Sequence, residues 1–280
     1  MEDGFGPEEA GGQIGRRVWM RRLALRHATV LLPSRRLYGI ARNIWRLPER
    51  RLIYVPNGVD CERFSVPRSS ELADRLGLTP GIPVVGTVSG LRREKNIGRL
   101  VDAFAHVARQ RPAQLVVVGD GPEREALAAQ AAALKIAGRV IFAGPQSKPE
   151  QILPLFDVFG LSSDTEQMPL SVLEAMAAGL PLGATDVGDV RTMLAPENHP
   201  FLVGTDATEL GGAILALLAD KPRAAAIGAA NAARVRAVFD QSLMFSAYEN
   251  LFEGKDLRSA PGSAVSRTLD VANAGAGPFR

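Results

Sequence analysis

The sequence has few of the residues that build disulfide frameworks and metal centres. Its 280 residues include one cysteine, Cys61, and three histidines, His27, His106 and His199. A single cysteine excludes an internal disulfide and fits a reducing compartment, with a buried thiol as its expected role. The histidines have no mutual spacing typical of a metal site or of a nucleophile–base pair. The sequence therefore predicts no metal site.

Long apolar runs are also lacking. No run approaches the ~18 residues that a membrane-spanning helix needs. The first residues, MEDGFGPEEAGG, are acidic and glycine-rich, whereas a secretory signal peptide is basic and then apolar. We therefore expect a cytoplasmic protein.

Acidic residues are scarce in one segment. The formal net charge is only +3, but residues 11–51 hold eleven arginines and one acid, Glu49. Such a segment can contact anionic lipid, and lipid is favoured over nucleic acid because no nucleic-acid module or interleaved aromatic residues accompany the arginines. The alternative is an arginine-rich helix face in water. We expect peripheral contact with an anionic membrane and no nucleic-acid partner.

Regular alternation begins at Pro83. Short apolar runs such as PVVGTVS, QLVVVG, RVIFAG and LPLGAT alternate with helical patterns of 10 to 15 residues. This alternation predicts a parallel sheet with helices on both faces. The predicted class is α/β with a doubly wound parallel sheet, whose ligands bind at the carboxyl ends of the strands.

The same patterns divide the chain into five segments. We predict an incomplete N-terminal unit at 1–55, a connector at 56–82, the doubly wound domain at 83–239, a final helix at 240–255 and a disordered tail at 256–280. The tail is assigned because small residues, glycine and proline dominate it without periodicity.

The stretch SSDTEQMPLSVLEAMAAGLP, residues 162–181, combines a helix start with two acids. Proline at position 169 predicts the first residue of a helix, and Glu174 lies in its second turn. The free N–H groups at the start of the helix would form an anion site. They belong to Leu170, Ser171 and Val172.

Glu166 and Glu174 flank this predicted anion site. Carboxylates accept hydrogen bonds from paired hydroxyls, so acids beside a phosphate cradle suit a ribose or a sugar attached to that phosphate. The alternative is an amphipathic helix whose acids face water.

Three other strand ends carry candidate binding residues. Gly119-Asp120-Gly121-Pro122 follows QLVVV but lacks the third glycine of a GxGxxG fingerprint, so a tight turn and a phosphate contact both fit. The loop after PVVGTVS carries Arg92, Arg93 and Lys95, which would neutralise a diphosphate or lie in water. Gly144-Pro145, after RVIFA, is placed to lie along a base.

Five segments, in order, resemble the retaining GT-B glycosyltransferases of family 4: VPNGVDCERF, GTVSGLRREKN, LVVVGDGPEREAL, VIFAGP and SSDTEQMPLSVLEAMAAGLPLGATDVGD. The resemblance covers about residues 20–253, and the Glu-x7-Glu pair in its EAMAxGxP context is its most specific part. It implies a Rossmann-like sheet that forms the C-terminal half of a GT-B fold, preceded by an incomplete remnant of the acceptor domain. It also implies sugar transfer, with retention of configuration, from a UDP- or GDP-type donor to a polysaccharide or glycolipid acceptor.

The resemblance also implies roles for individual residues. Glu174 would bind the donor ribose, and Glu166, the implied catalytic residue, would lie near the donor sugar. Lys95 and the backbone from Met168 to Ser171 would hold the diphosphate without a metal or cofactor, because the helix dipole and cations take the leaving charge. The implied donor-binding residues are Arg92, Lys95, Gly119, Gly121, Gly144, Met168, Pro169, Leu170, Ser171 and Glu174.

The sequence departs from the family pattern in three positions and in length. Gly90 stands where a phosphate-binding arginine is common, so Arg92 or Arg93 would have to substitute. Gln167-Met168 replaces a glycine-rich loop, and Thr192 replaces an acid. Residues 1–55 resemble only the end of the acceptor domain, so one alternative is a non-catalytic or inactive nucleotide-sugar-binding chain, and another is a chain completed by a missing N-terminal half. A dinucleotide oxidoreductase is the third alternative.

Overall fold

The computed structural model describes residues 14–255. The predicted tail at 256–280 and the first 13 residues of the predicted N-terminal unit lie outside the described residues. None of the helices described is long and apolar enough to cross a membrane.

The strands form two parallel sheets. In chain order they are β1 (Val30–Leu32), β2 (Leu52–Tyr54), β3 (Val84–Val88), β4 (Gln114–Val118), β5 (Val140–Gly144), β6 (Val158–Leu161), β7 (Leu182–Thr185) and β8 (Leu202–Val203). β1 pairs with β2, and the other six form one sheet in the order β5-β4-β3-β6-β7-β8. All of its pairings are parallel, which confirms the predicted doubly wound sheet.

The helices are α1 (Gly15–Leu25), α2 (Arg35–Asn43), α3 (Ser70–Arg75), α4 (Ile97–Gln110), α5 (Arg124–Ala133), α6 (Pro149–Ile152), α7 (Leu170–Ala177), α8 (Val190–Met193), α9 (Ala207–Ala219), α10 (Lys221–Val238) and α11 (Gln241–Phe252). α4, α5 and α9 bury their apolar sides on one face of the six-stranded sheet. α6, α7 and α8 cover the other face. Strands covered on both faces lose contact with water along their whole length, which is why β6 is apolar throughout and β4 is apolar after Gln114.

Residues upstream of the main sheet form a small unit with its own core. β1, β2 and α2 enclose six buried apolar side chains, Leu32, Leu37, Ala41, Trp45, Leu47 and Leu52. The segment between this unit and the sheet, predicted as an irregular connector, contains α3, which the side chain of Ser69 caps. Cys61 is buried beside α3 in the main core, and burial raises the pKa of its thiol to about 12.

Candidate active site

The order of the six strands creates a crevice between β3 and β6. The chain moves outward from β3 through β4 to β5, and then returns to the other side of β3 to continue through β6, β7 and β8. The loops after β3 and β6 therefore leave the sheet on opposite sides of its switch point. Ligands of doubly wound folds bind at this place.

The loop after β3 is held by a buried leucine and by a left-handed residue. Leu91 is fully buried among the side chains of α4 and α5. Asn96 has φ 42°, and its side chain accepts the N–H of Arg99 to cap α4. Asparagine tolerates this conformation better than most residues. Lys95, just before the cap, is thereby aimed at the crevice.

Lys95 and Glu166 meet across the switch point. Lys95 Nζ lies 2.7 Å from Glu166 Oε1, and the hydroxyl of Ser163 donates to the same oxygen at 2.7 Å. The side chains are 20% and 7% exposed respectively, so this charge pair is shielded from water. Oε2 of Glu166 takes part in neither bond, so the carboxylate keeps an oxygen available to a ligand.

Further bonds fix the two loops to each other. The Arg99 guanidinium donates to the carbonyl of Ser162 at 2.6 Å and pairs with the carboxylate of Asp164 at 2.5 Å. Ser162 donates its hydroxyl to the carbonyl of Lys95 at 3.2 Å. Because these bonds cross the switch point at several levels, the spacing of Lys95 and Glu166 is set by the fold rather than by their own contact alone.

The glycines of the β4 loop allow close packing against the β3 loop. A Cβ on Gly119 would lie 1.9 Å from the carbonyl oxygen of Ser89, and one on Gly121 would lie 2.4 Å from that of Leu91. This packing accounts for both glycines, so their contact with a donor stays a prediction. Gly144 ends β5 with φ 66°, and its carbonyl accepts the N–H of Gly119.

The helix start of α7 differs from the prediction. Pro169 has φ −68° and ψ 119°, so it is the cap before the helix and not its first residue. Its carbonyl accepts the N–H of Val172 at 3.1 Å. The predicted set of three free N–H groups was therefore wrong for Val172, whereas those of Leu170 and Ser171 remain at the positive end of the helix. The side chain of Met168 is buried in the core.

Glu174 lies apart from the Lys95–Glu166 pair, on the second turn of α7. Burial raises the pKa of its carboxyl; the charge of Arg63 lowers it, and that of Glu150 raises it. Arg63 is bonded to Glu150 at 3.0 Å. The side chain of Glu174 is half-buried, and within residues 14–255 its carboxylate makes no hydrogen bond or ion pair. The carboxylate can therefore accept hydrogen bonds from a ligand.

Arg92 lies close to the position that a side chain at residue 90 would occupy. A Cβ on Gly90 would be 3.5 Å from Arg92 Nε, and the same nitrogen pairs with Glu94 at 3.2 Å. Arg92 therefore lies beside Gly90, and its substitution for the cation of the family pattern stays a prediction. Arg92 and Arg93 both line a cavity of about 340 Å³ beside α4 and α5.

Sequence reasoning missed the residues that connect the β7 loop to the site. A Cβ on Gly188, which has φ 59°, would lie 2.4 Å from the carbonyl oxygen of Glu166. Asp189 donates its N–H to the carbonyl of Gln167 at 3.0 Å. The Val187-Gly188-Asp189 sequence after a strand is a turn signal that would have indicated this loop, although not the residues that it contacts.

Asp189 also contacts the N-terminal unit. Its carboxylate accepts the N–H groups of Arg35 at 2.6 Å and Arg36 at 3.0 Å, at the first turn of α2. Ser34, the cap of α2, donates its hydroxyl to the side chain of Gln167 at 3.0 Å. Thr192, whose role the sequence left open, donates its hydroxyl to the carbonyl of Asp189 at 2.8 Å. Across the part of the chain that the structure describes, no group of three or more metal-ligating side chains occurs.

Comparison with known proteins identifies the sheet domain. Residues 82–220 match the sequence model of a family described as "Glycosyl transferases group 1". This segment belongs to the group 1 glycosyl transferases. The match begins two residues before β3 and runs through α9, so it contains both loops at the switch point and confirms the family that the resemblance indicated.

Curated relatives support this membership. The chain is 30% identical over 243 residues to D-inositol 3-phosphate glycosyltransferase of Nocardia farcinica, covering 81% of this chain and 52% of that protein. It is 30% identical over 215 residues to a GDP-mannose-dependent monoacylated alpha-(1-6)-phosphatidylinositol monomannoside mannosyltransferase of Corynebacterium glutamicum, covering 72% and 56%. The chain thus spans about half the length of these relatives.

Solved structures agree on the fold. The structure of Anabaena HepE in complex with UDP matches with a TM-score of 0.80 at 22% identity, over 91% of this chain and 71% of that one. A sucrose-phosphate synthase from Thermosynechococcus elongatus matches with a TM-score of 0.76 at 25% identity, over 89% and 65%. These matches confirm the predicted GT-B relationship and extend beyond the main sheet into the N-terminal unit.

Proposed function

We propose that the six-stranded domain binds a nucleotide-diphosphate sugar and transfers the sugar with retention of configuration. The observation that carries this proposal is the shielded Lys95–Glu166 pair at the switch point, beside the free N–H groups of α7. Lys95 has three N–H donors, so it can keep its bond to Glu166 and also contact a diphosphate. Its charge lowers the repulsion between that diphosphate and the Glu166 carboxylate.

The remaining groups fit the other parts of such a donor. Glu174, half-buried and without a partner among the described residues, accepts the ribose hydroxyls, which satisfy a carboxylate that burial otherwise disfavours. The N–H groups of Leu170 and Ser171 meet the diphosphate, and Arg92 supplies a second cation. Glu166 presents Oε2 to the donor sugar. No metal is required in this arrangement, because cations and the helix dipole offset the charge of the leaving group.

The relatives support a UDP- or GDP-type donor and a glycan or glycolipid acceptor. One matching structure is a complex with UDP, and one curated relative is GDP-mannose-dependent and acts on a phosphatidylinositol mannoside. The alternative, a chain that binds the donor without transferring its sugar, shares the whole binding site. The oxidoreductase is disfavoured because the Gly119-Asp120-Gly121 turn after β4 lacks the third glycine of a dinucleotide fingerprint.

Nucleotide-dependent stabilisation tests the donor site. A nucleotide at about 100 times its dissociation constant adds ~2.7 kcal/mol to the free energy of unfolding, which is a shift of roughly 5–10 °C in melting temperature. We expect UDP or GDP to produce this shift, Glu174→Gln to abolish it, and Glu125→Gln on the exposed side of α5 to preserve it. If neither nucleotide stabilises the unmodified protein, the donor site is wrongly assigned.

The same preparation separates the two candidate functions. Donor-sugar transfer or hydrolysis that Glu166→Gln reduces by at least tenfold supports the enzyme, and release of the sugar in its original anomeric form supports retention. Nucleotide binding without any turnover supports the non-catalytic alternative.

A further inference from the structure

The inner face of α1 is fixed to the N-terminal unit. Val18 and Leu25 pack against its small apolar core. The guanidinium of Arg21 lies over the ring of Trp45 at 5.3 Å from its centroid. These contacts set the rotation of the helix about its axis and therefore determine which side chains point outward.

The outer face of α1 exposes three large apolar side chains. Trp19, Met20 and Leu23 are 64%, 57% and 46% exposed. At about 100° per residue they fall within an arc of ~100° on the side opposite Val18 and Leu25. They form one stripe along the helix, which we call the α1 stripe, rather than scattered single exposures.

Cations border the α1 stripe. Arg16 lies within the same arc, Arg26 lies about 20° outside it and Arg22 about 60° outside it on the same side, and all three are exposed. The segment from Ile14 to Ala28 contains no acidic residue. Tryptophan, methionine and leucine flanked by arginines are typical of helices that lie in the interface of a bilayer, where tryptophan sits at the headgroups.

We propose that the α1 stripe binds the surface of an anionic phospholipid bilayer. Trp19, Met20 and Leu23 enter the headgroup region, while Arg16, Arg22 and Arg26 contact lipid phosphates. A lipid surface is favoured over a second copy of the chain, because a two-fold contact through α1 would bring the same arginines together and their charges would repel. The inference is independent of the donor site, with which the α1 stripe shares no residue.

Vesicle flotation of the full chain tests the proposal. We expect the protein to float with vesicles of phosphatidylcholine and phosphatidylglycerol, and not with phosphatidylcholine alone. Raising the salt from ~0.1 to ~1 M shortens the screening length about threefold and should weaken binding. Equal binding to both vesicles, or tighter binding to duplex DNA than to the anionic vesicles, would overturn the lipid assignment.

Apolar variants test the insertion of the stripe. Trp19→Ser with Leu23→Ser should weaken flotation by at least about tenfold because both side chains lose their contact with lipid. Val66→Ser, at an exposed valine outside α1, should leave flotation unchanged. Sedimentation tests for a dimer. If the unmodified protein is a dimer and the Trp19→Ser, Leu23→Ser variant is a monomer, the α1 stripe binds a second copy and the proposal fails.

Two charge variants with the same change in net charge test the arginines. Arg16→Glu with Arg22→Glu should reduce anionic-vesicle binding by at least about twentyfold, since each basic residue near the surface contributes about fivefold. Arg68→Glu with Arg109→Glu makes the same change in net charge at exposed sites elsewhere. Equal losses in the two variants would overturn the proposal. Circular dichroism confirms that each variant is folded.

Discussion

At the scale of single residues, the proposed site depends on an ion pair that is largely shielded from water. Lys95 and Glu166 are 20% and 7% exposed, and Ser163 supplies one further bond to the carboxylate. A shielded pair of this kind adds little net stability, but removing one partner leaves a charge that burial disfavours. The pair is therefore better explained by function than by stability.

Lys95→Met should destabilise the fold more than the loss of a surface salt bridge would. We expect the free energy of unfolding to fall by roughly 1–3 kcal/mol, because Glu166 keeps only the Ser163 hydroxyl as a partner. Adding Glu166→Gln should recover part of this loss, since the amide oxygen accepts the same hydroxyl without a charge. Urea unfolding of the single and double variants measures the coupling.

The control for this cycle is an exposed pair in the same protein. Asp186→Asn removes a partner of Arg191, whose side chain is 48% exposed, and should cost less than about 1 kcal/mol. Equal losses at the two sites would show that Lys95 and Glu166 are effectively solvated in solution. The proposed shielding would then be wrong.

At the scale of elements, α9 packs on α4 at Gly211, whereas the adjacent Gly212 has open space around it. A Cβ on Gly211 would lie 2.8 Å from the carbonyl oxygen of Ala103 and 3.1 Å from His106 Cβ. A Cβ on Gly212 would meet nothing within 4 Å. Gly211 permits close helix packing, whereas Gly212 serves no packing need and lowers helix propensity.

Gly211→Ala and Gly212→Ala should therefore change stability in opposite directions. The first forces the helices apart and should lower the free energy of unfolding by about 1–3 kcal/mol. The second should raise it by about 0.5–1 kcal/mol through helix propensity. Thermal and urea unfolding of both variants provide the measurement. If both alanines stabilise the protein, the contact between α4 and α9 is looser than described.

The elements also show what sequence patterns can predict. Strands β3 to β8 follow from apolar runs alone, because the central strands are buried on both faces and the edge strands β5 and β8 still pack on the core. α3 was missed because its six residues are too short for a helical period, and only Ser69 marked its start. Pro169 was assigned to the first helical position because proline lacks an N–H that this position does not use, but its ψ of 119° places it before the helix. The sequence placed Lys95 and Glu166 at neighbouring strand ends. Their ion pair could not be predicted, because the two residues are 71 positions apart and only the order of the strands in the sheet brings them together.

At the scale of the whole molecule, the N-terminal unit and the sheet domain are coupled through Asp189. Its side chain is buried, and burial raises the pKa of the carboxyl while the N–H groups of Arg35 and Arg36 lower it. A carboxylate at the start of α2 also meets the positive end of the helix. Ser34 bonds to Gln167, the neighbour of Glu166, so the position of α2 is transmitted to the proposed donor site through one residue.

Asp189→Ala should release the N-terminal unit while the sheet stays folded. It leaves the N–H groups of Arg35 and Arg36 without their acceptor, and the loss of charge-assisted bonds costs roughly 2 kcal/mol. Amide hydrogen exchange should therefore accelerate by about thirtyfold in residues 30–54 and stay unchanged in β3 and β4. Asp186→Ala, three residues earlier, should alter neither region because its partner Arg191 is exposed. Faster exchange throughout the sheet would mean that Asp189 stabilises the β7 loop itself. The contact of Gly58 with the start of α11 would then be what joins the two units.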